Sequence, residues 1–167
     1  RLENAPLDTR TVGVALLLRV VRGPARVTAT YVFVSAQEWE SDLGGAASRQ
    51  TPLVPRHAAG LVASLEREGA SRVGLEVYYT GLQPLADNPY RVTSEPFVIV
   101  GLLAEHVLHV PFEEVRLFIN AENITNVRQT RVDPLPLPSR GEGGRWTTDV
   151  WSDLAGFTLN GGVKLRL

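Results

Sequence analysis

The connections of this 167-residue chain alternate in length, and that alternation constrains its fold more than any single motif. Read for periodicity, the sequence predicts strands over residues 11–22, 26–36, 56–67, 72–81, 95–107, 114–123 and 156–167. The segments between them are short at "RGPA" near residue 23, "EGAS" near 69 and "LHVPFE" near 110. They are long at 37–55, 82–94 and 124–155, where Pro, Gly and charged residues gather. Short and long never swap places. A compact soluble sandwich gives no reason for this order, and long structureless loops are uncommon inside one. Antiparallel strands crossing an outer membrane give it automatically, with short turns on the periplasmic side and long loops outside.

The strands themselves carry a period of two. In "RVGLEVYYT", Val73, Leu75, Val77 and Tyr79 share one face, opposite Arg72, Gly74, Glu76, Tyr78 and Thr80. The last segment repeats the pattern, with Phe157, Leu159, Val163, Leu165 and Leu167 opposite Thr158, Asn160, Lys164 and Arg166. Segments 12–21 and 96–104 are apolar on both faces for part of their length, so periodicity leaves their facing open. "HAAGLVASLEREG" admits a competing helical reading through its Ala and Leu content and a capping Gly69.

Composition removes several function classes. A formal net charge of −1 with 21% charged residues argues against a nucleic-acid partner held by phosphate contacts. Hydrophobic residues at 44% and a mean hydropathy near zero fit a soluble globule and a membrane barrel equally, because a barrel hides its lipid-facing residues by alternation. With no cysteine there is no disulfide framework, thiolate metal site or cysteine nucleophile. Apolar runs such as "VGVALLL" are far short of the roughly 18 residues a helical span needs. Methionine is absent even at position 1, and seven strands are an odd number where a barrel of this kind needs an even one. The expectation is therefore a piece cut from a longer chain: the C-terminal portion of a larger barrel, with exposed strand edges at 11–22 and 156–167.

Three stretches make a family recognisable: "TPLVPRHAAGLVASLE" from Thr51, "RLFINAENITNVRQTRVDPL" from Arg116, and the ending "GFTLNGGVKLRL". With the loop alternation, the chain resembles the C-terminal barrel part of a TonB-dependent outer-membrane receptor over nearly its whole length. The resemblance implies an all-β fold, an antiparallel transmembrane segment of about seven strands from a barrel of about 22 strands around an N-terminal plug. It implies a bacterial outer-membrane location and uptake of a small scarce ligand, such as a ferric siderophore or cobalamin, without covalent chemistry and without a cofactor. The partners implied are outer-membrane lipid and lipopolysaccharide, the TonB complex acting through the plug, the ligand, and the barrel-assembly machinery acting on the last strand. The family usually ends on an aromatic residue, where this chain has Leu167. A soluble β-sandwich or small-barrel binding module is the alternative, and a barrel adhesin or translocator without TonB coupling is a third.

Candidate ligand contacts fall in the loop at 124–155, where Arg128, Arg131, Arg140, Arg145, Trp146 and Trp151 could hold an anionic, aromatic-bearing ligand by bidentate and cation–π contacts. Trp151 with Tyr78 or Tyr79 could instead belong to interfacial aromatic girdles, and the arginines could pair with lipopolysaccharide or with Asp133 and Asp149. The sequon Asn123-Ile124-Thr125 reads better as the rim of a strand, with Asn120, Asn123 and Asn126 satisfying backbone and lumen groups, than as a glycan acceptor. His106 and His109 straddle a strand end, which argues against a shared metal, and His57 reads as a rim residue. No nucleophile and base are spaced for catalysis, and "GEGG" at Gly141 is not a phosphate cradle, so no enzyme is expected.

Overall fold

The computed structural model describes residues 8–42, 45–67, 69–86, 88–110, 113–133, 139–140, 146–147 and 149–166. Within these, side chains are described except at 40–42, 45–47, 110, 113, 139–140, 146–147 and 166. The strands in chain order are β1 (Asp8–Arg22), β2 (Ala25–Asp42), β3 (Gly45–Gln50), β4 (His57–Arg67), β5 (Ser71–Thr80), β6 (Phe97–Val110), β7 (Glu113–Glu122), β8 (Ser139–Arg140), β9 (Trp146–Thr147) and β10 (Thr158–Arg166). Eight of them make one antiparallel sheet in the order β1-β2-β4-β5-β6-β7-β10, with β3 paired to the far part of β2, while β8 and β9 pair separately.

Each of the seven predicted strands is present. The competing helix is not: His57–Arg67 pairs along its length with β2 and β5. Its alternating small and branched residues fill a pleated surface, and that tertiary pairing overrides local helix propensity. The first long loop is shorter than expected, because β2 continues to Asp42 and folds back on β3 from Asp42↔Gly45 to Gln37↔Gln50.

Because every main-sheet neighbour is antiparallel, all the short turns lie at one end of the sheet and all the long connections at the other. β1 and β10 both run from the long-loop end to the short-turn end, and they form the two edges of an open sheet. These two edges cannot join each other in an antiparallel ladder. Only an odd number of further strands between them would complete one.

Register fixes the facing that periodicity left open, since directly opposed residues share a face. Leu16 lies opposite Tyr31, and Val100 opposite Val77, on the face that carries Leu61 and Ile119. On this apolar face no Asp, Glu, Lys or Arg interrupts β1 between Val12 and Val20, β2 between Val27 and Phe33, β4 between Ala59 and Leu65, or β5 between Val73 and Tyr79. The same is true of Val98 to Leu108, Val115 to Ala121 and Leu159 to Leu165. The face is nevertheless open: Leu16 is 61% exposed, Leu18 62% and Leu165 61%.

The opposite face carries the charge. Its ion pairs are Arg26–Glu66, Arg49–Glu38, Arg116–Glu105 and Arg116–Glu114, each at 3.0–3.1 Å. Tyr78 donates to Glu76 and Asn120 to Glu122 there. Two glycines of this face lie under aromatic rings, with Tyr78 over Gly60 and Phe118 over Gly162. An aromatic laid across a strand glycine restores the packing that the missing side chain forfeits.

Candidate functional site

The side chains that come together are in the connections at the long-loop end. Described residues of 81–96, between β5 and β6, and of 123–133 and 149–157, between β7 and β10, pack on each other around a buried polar cluster. Gln129 and Asp133 are fully buried, and Gln83, Ser94, Asn123, Asp149, Trp151 and Ser152 are buried beside them.

Local geometry explains how the chain reaches this point. Asn123 leaves β7 with φ at +49°, a conformation that Asn tolerates better than most residues. Its side-chain oxygen accepts from the Val127 amide at 2.9 Å, and its Nδ2 donates to the Val127 carbonyl at 2.8 Å, which closes the turn. Thr125 Oγ1 donates to the Val98 carbonyl at 2.7 Å and pins that turn to the start of β6. Both polar members of the sequon are thus engaged in holding the strand exit. Asn126 Oδ1 accepts from the Phe157 amide, tying the exit to the return of the chain into β10. Gly156, at φ +82°, is required in that return, because a Cβ there would lie 2.6 Å from both Arg128 Cδ and Asn126 Oδ1.

A short 3-10 turn at Gln129–Arg131 follows, and it sends Gln129 and Asp133 inward. Gln129 acts as a two-sided clip: its Nε2 donates to the Asp149 carbonyl and its Oε1 accepts from the Trp151 amide, both at 2.9 Å. The Asp133 carboxylate accepts from Arg91 Nε at 2.8 Å, from Asn88 Nδ2 at 3.2 Å and from the Trp151 indole N–H at 3.1 Å. Gln83 Nε2 donates to the Trp151 carbonyl at 2.9 Å, and the Arg91 guanidinium lies 5.9 Å from the indole centroid. Phe97 packs on the same ring at 6.2 Å. A buried carboxylate is tolerable only when it is paired and hydrogen-bonded, and here three donors, one of them a cation, engage it. Arg91 also pairs with Glu95 at 3.1 Å. That hydrogen bond, followed by the Asp133 charge and contact, raises the guanidinium pKa above its ordinary value despite opposing desolvation.

The six residues singled out in the sequence are distributed unevenly over this region. Trp151 is only 5% exposed and its indole N–H is committed to Asp133, so it is part of the buried cluster. Arg131 is exposed, with Nη1 donating to the Asn126 carbonyl at 3.2 Å. Arg128 is half-buried, and its Nε has no hydrogen-bond partner among the described residues. Arg140 and Trp146 lie opposite each other in the β8–β9 register, with their side chains outside the described residues, as is the whole of Arg145. Asp133 does bind an arginine, but one from the other loop, Arg91. Sequence reasoning missed Arg91, Asn88 and Gln83, whose partners lie far away in the chain, and Ser94, which exchanges hydrogen bonds with Gln83 inside the first loop.

Other candidates separate. His106 and His109 stand on opposite faces of β6, and among the described residues no three His, Asp or Glu side chains are grouped to hold a metal. His57 opens β4 on the apolar face, where Nδ1 lies 2.8 Å from the Tyr31 hydroxyl and the ring packs on Tyr31 and Phe33. Tyr79 lies opposite Ala59 on that same face. These rings form an aromatic border where the apolar surface meets the long loops. No family model matches the chain, and no curated protein matches it.

Proposed function

We propose that the chain is part of the barrel wall of a TonB-dependent outer-membrane receptor, which captures and imports a small scarce ligand such as a ferric siderophore or cobalamin. The observation that carries this reading is the uncharged apolar face, continuous across seven strands and backed by a face that holds the ion pairs. Water gives no reason for that division of an open sheet, whereas lipid on one side and an aqueous lumen on the other do.

Dimensions support it. Eight residue steps from Val12 to Val20 cover roughly 26 Å along the strand at about 3.3 Å each. With the tilt usual for such barrels, roughly 20 Å remains across the membrane, comparable with the apolar band of about 25 Å in outer-membrane barrels. The Tyr31, Phe33, His57 and Tyr79 border then lies at the outer interface, where aromatic rings with one polar edge are favoured. Parallel edges that need an odd number of further strands fit a larger barrel of even strand count. Ligand capture falls to the outer loops, where Arg131 is one of the described exposed cations, and no covalent chemistry or cofactor is involved.

The test is fractionation of the native host together with the full reading frame. The reading expects the polypeptide in the outer membrane, needing detergent for extraction, with a plug of roughly a hundred residues or more encoded in frame before Arg1. A chain that remains folded and monomeric in detergent-free buffer overturns the membrane reading. An outer-membrane barrel whose reading frame lacks a plug overturns the receptor alone.

A further inference from the structure

We propose that Asp133 is the centre of a two-way latch, so that the described parts of the β5–β6 loop and of the β7–β10 loop keep or lose their order together. The inference goes beyond the receptor reading and does not depend on it, because it arises from contacts between the loops.

Three features point to coupling rather than to two loops that merely touch. First, the fully buried Asp133 carboxylate belongs to one loop, and two of its three donors, Arg91 and Asn88, belong to the other. Withdrawing Arg91 leaves a buried charge without its cation, so the second loop cannot keep its position when the first departs. Secondly, Trp151 is bonded at three points. Its indole N–H goes to Asp133 and its amide to Gln129 within its own loop, while its carbonyl accepts from Gln83 of the other loop. Moving the indole therefore disturbs both loops. Thirdly, Asn88 Oδ1 accepts from the Tyr90 and Arg91 amides while its Nδ2 donates to Asp133, so the residue that shapes the first loop also senses the second. The Leu53 amide donates to the Pro84 carbonyl and joins the β3–β4 connection to the same assembly.

The coupling is reciprocal by thermodynamic necessity: what one loop does to the other, the other must return. It can be measured on the complete polypeptide, keeping Trp151 and replacing its other tryptophans by phenylalanine. Arg91→Gln, in the first loop, is expected to raise acrylamide quenching of Trp151, in the second, several-fold. Asp133→Asn, in the second loop, is expected to speed amide exchange at Leu85, whose N–H bonds the Val92 carbonyl across the first loop. The double variant is expected to be no looser than the worse single one, because both changes release the same contact.

The proposal is overturned if each substitution loosens only its own loop, or if the two effects add. Should Arg91→Gln or Asp133→Asn prevent folding, Asn88→Ala removes one donor of the three and keeps the ion pair. It is expected to produce the same cross-loop quenching at smaller amplitude, and unchanged Trp151 quenching in that variant overturns the latch as well. Failure of the membrane test leaves these outcomes readable, since none of them uses lipid.

Discussion

The strand sheet and the loop cluster at its end solve opposite problems. In the sheet, leucines and valines such as Leu16, Leu18, Val73 and Leu165 remain more than half exposed, and Val107 is the one strand residue in the buried set among the described residues. In the cluster, Gln129 and Asp133 are excluded from solvent and Trp151 nearly so. The irregular part of the chain therefore has its own core, while the regular part is stabilised within the chain mainly by its ladders and leaves its apolar side chains uncovered. That inverts the usual relation, in which loops run over a core made by strands. The difference teaches that exposure and order are separate properties: the sheet is ordered and uncovered, the cluster irregular and sealed.

The strongest way to break this contrast is Trp151→Ala. Removing a buried tryptophan ordinarily costs about 3–5 kcal/mol, and here it also takes a donor from Asp133. The loss should be confined to the cluster. Hydrogen exchange is expected to show lost protection at Gln129, Val132 and Asp133, with the β4, β5 and β6 ladders unchanged. Parallel loss of protection in those ladders would show that the cluster supports the sheet and that the two regions are not separate.

The second comparison sets one face of the sheet against the other. Val77 lies opposite Leu61 and Val100 in the middle of the apolar face, while Asn160 lies opposite Asn120 on the polar face. On the membrane reading proposed above, Val77→Lys is expected to destabilise the lipid-folded protein by about 2–4 kcal/mol, as a cation at a bilayer midplane does. Asn160→Lys, facing water, is expected to cost less than about 1 kcal/mol. Reversible unfolding by urea in lipid vesicles measures both, and equal costs would remove the distinction between the faces.

A third substitution probes the junction of the two regions. Asn123→Ala loses both bonds to Val127 and places a β-carbon residue without local hydrogen bonding at positive φ, for an expected cost of about 1–3 kcal/mol. Asn123→Gly relieves the backbone and should recover part of that loss. If the two variants are equally stable, the side-chain bonds alone hold the turn.

Why the sheet was legible and the cluster was not follows from the range of the interactions. Period-two alternation is written in neighbouring residues, so "RVGLEVYYT" announces its own faces. In β1 and β6, Leu17 and Leu103 fall on the polar face and hide the alternation, and only pairing with Thr30 and with Gly74 and Asn120 shows where they point. The cluster has no local period at all. Gln83 meets Trp151 across 68 residues and Arg91 meets Asp133 across 42. Trp151 was visible as an aromatic in a loop of arginines, but its burial depends on Gln83, Arg91 and Phe97, which lie outside that loop.

The smallest effect separates two ion pairs of similar length. Arg26–Glu66 on the polar face has side chains 58% and 43% exposed, whereas Arg91–Asp133 has 25% and 0%. Exposed pairs contribute about 0–1 kcal/mol and fade with salt, so Arg26→Ala should change stability within that range and the difference should shrink as ionic strength rises. The Arg91 contact should scarcely respond to the same salt. Its guanidinium pKa is raised, so its stabilisation is fully present below the ordinary arginine value and is lost only as pH climbs through the raised one. Trp151 quenching, as the reporter of that contact, should therefore show no arginine titration between about pH 6 and about pH 10. A salt dependence of Trp151 quenching as steep as that of the Arg26 contribution would mean that water reaches Asp133 and that the cluster is no more sealed than the sheet.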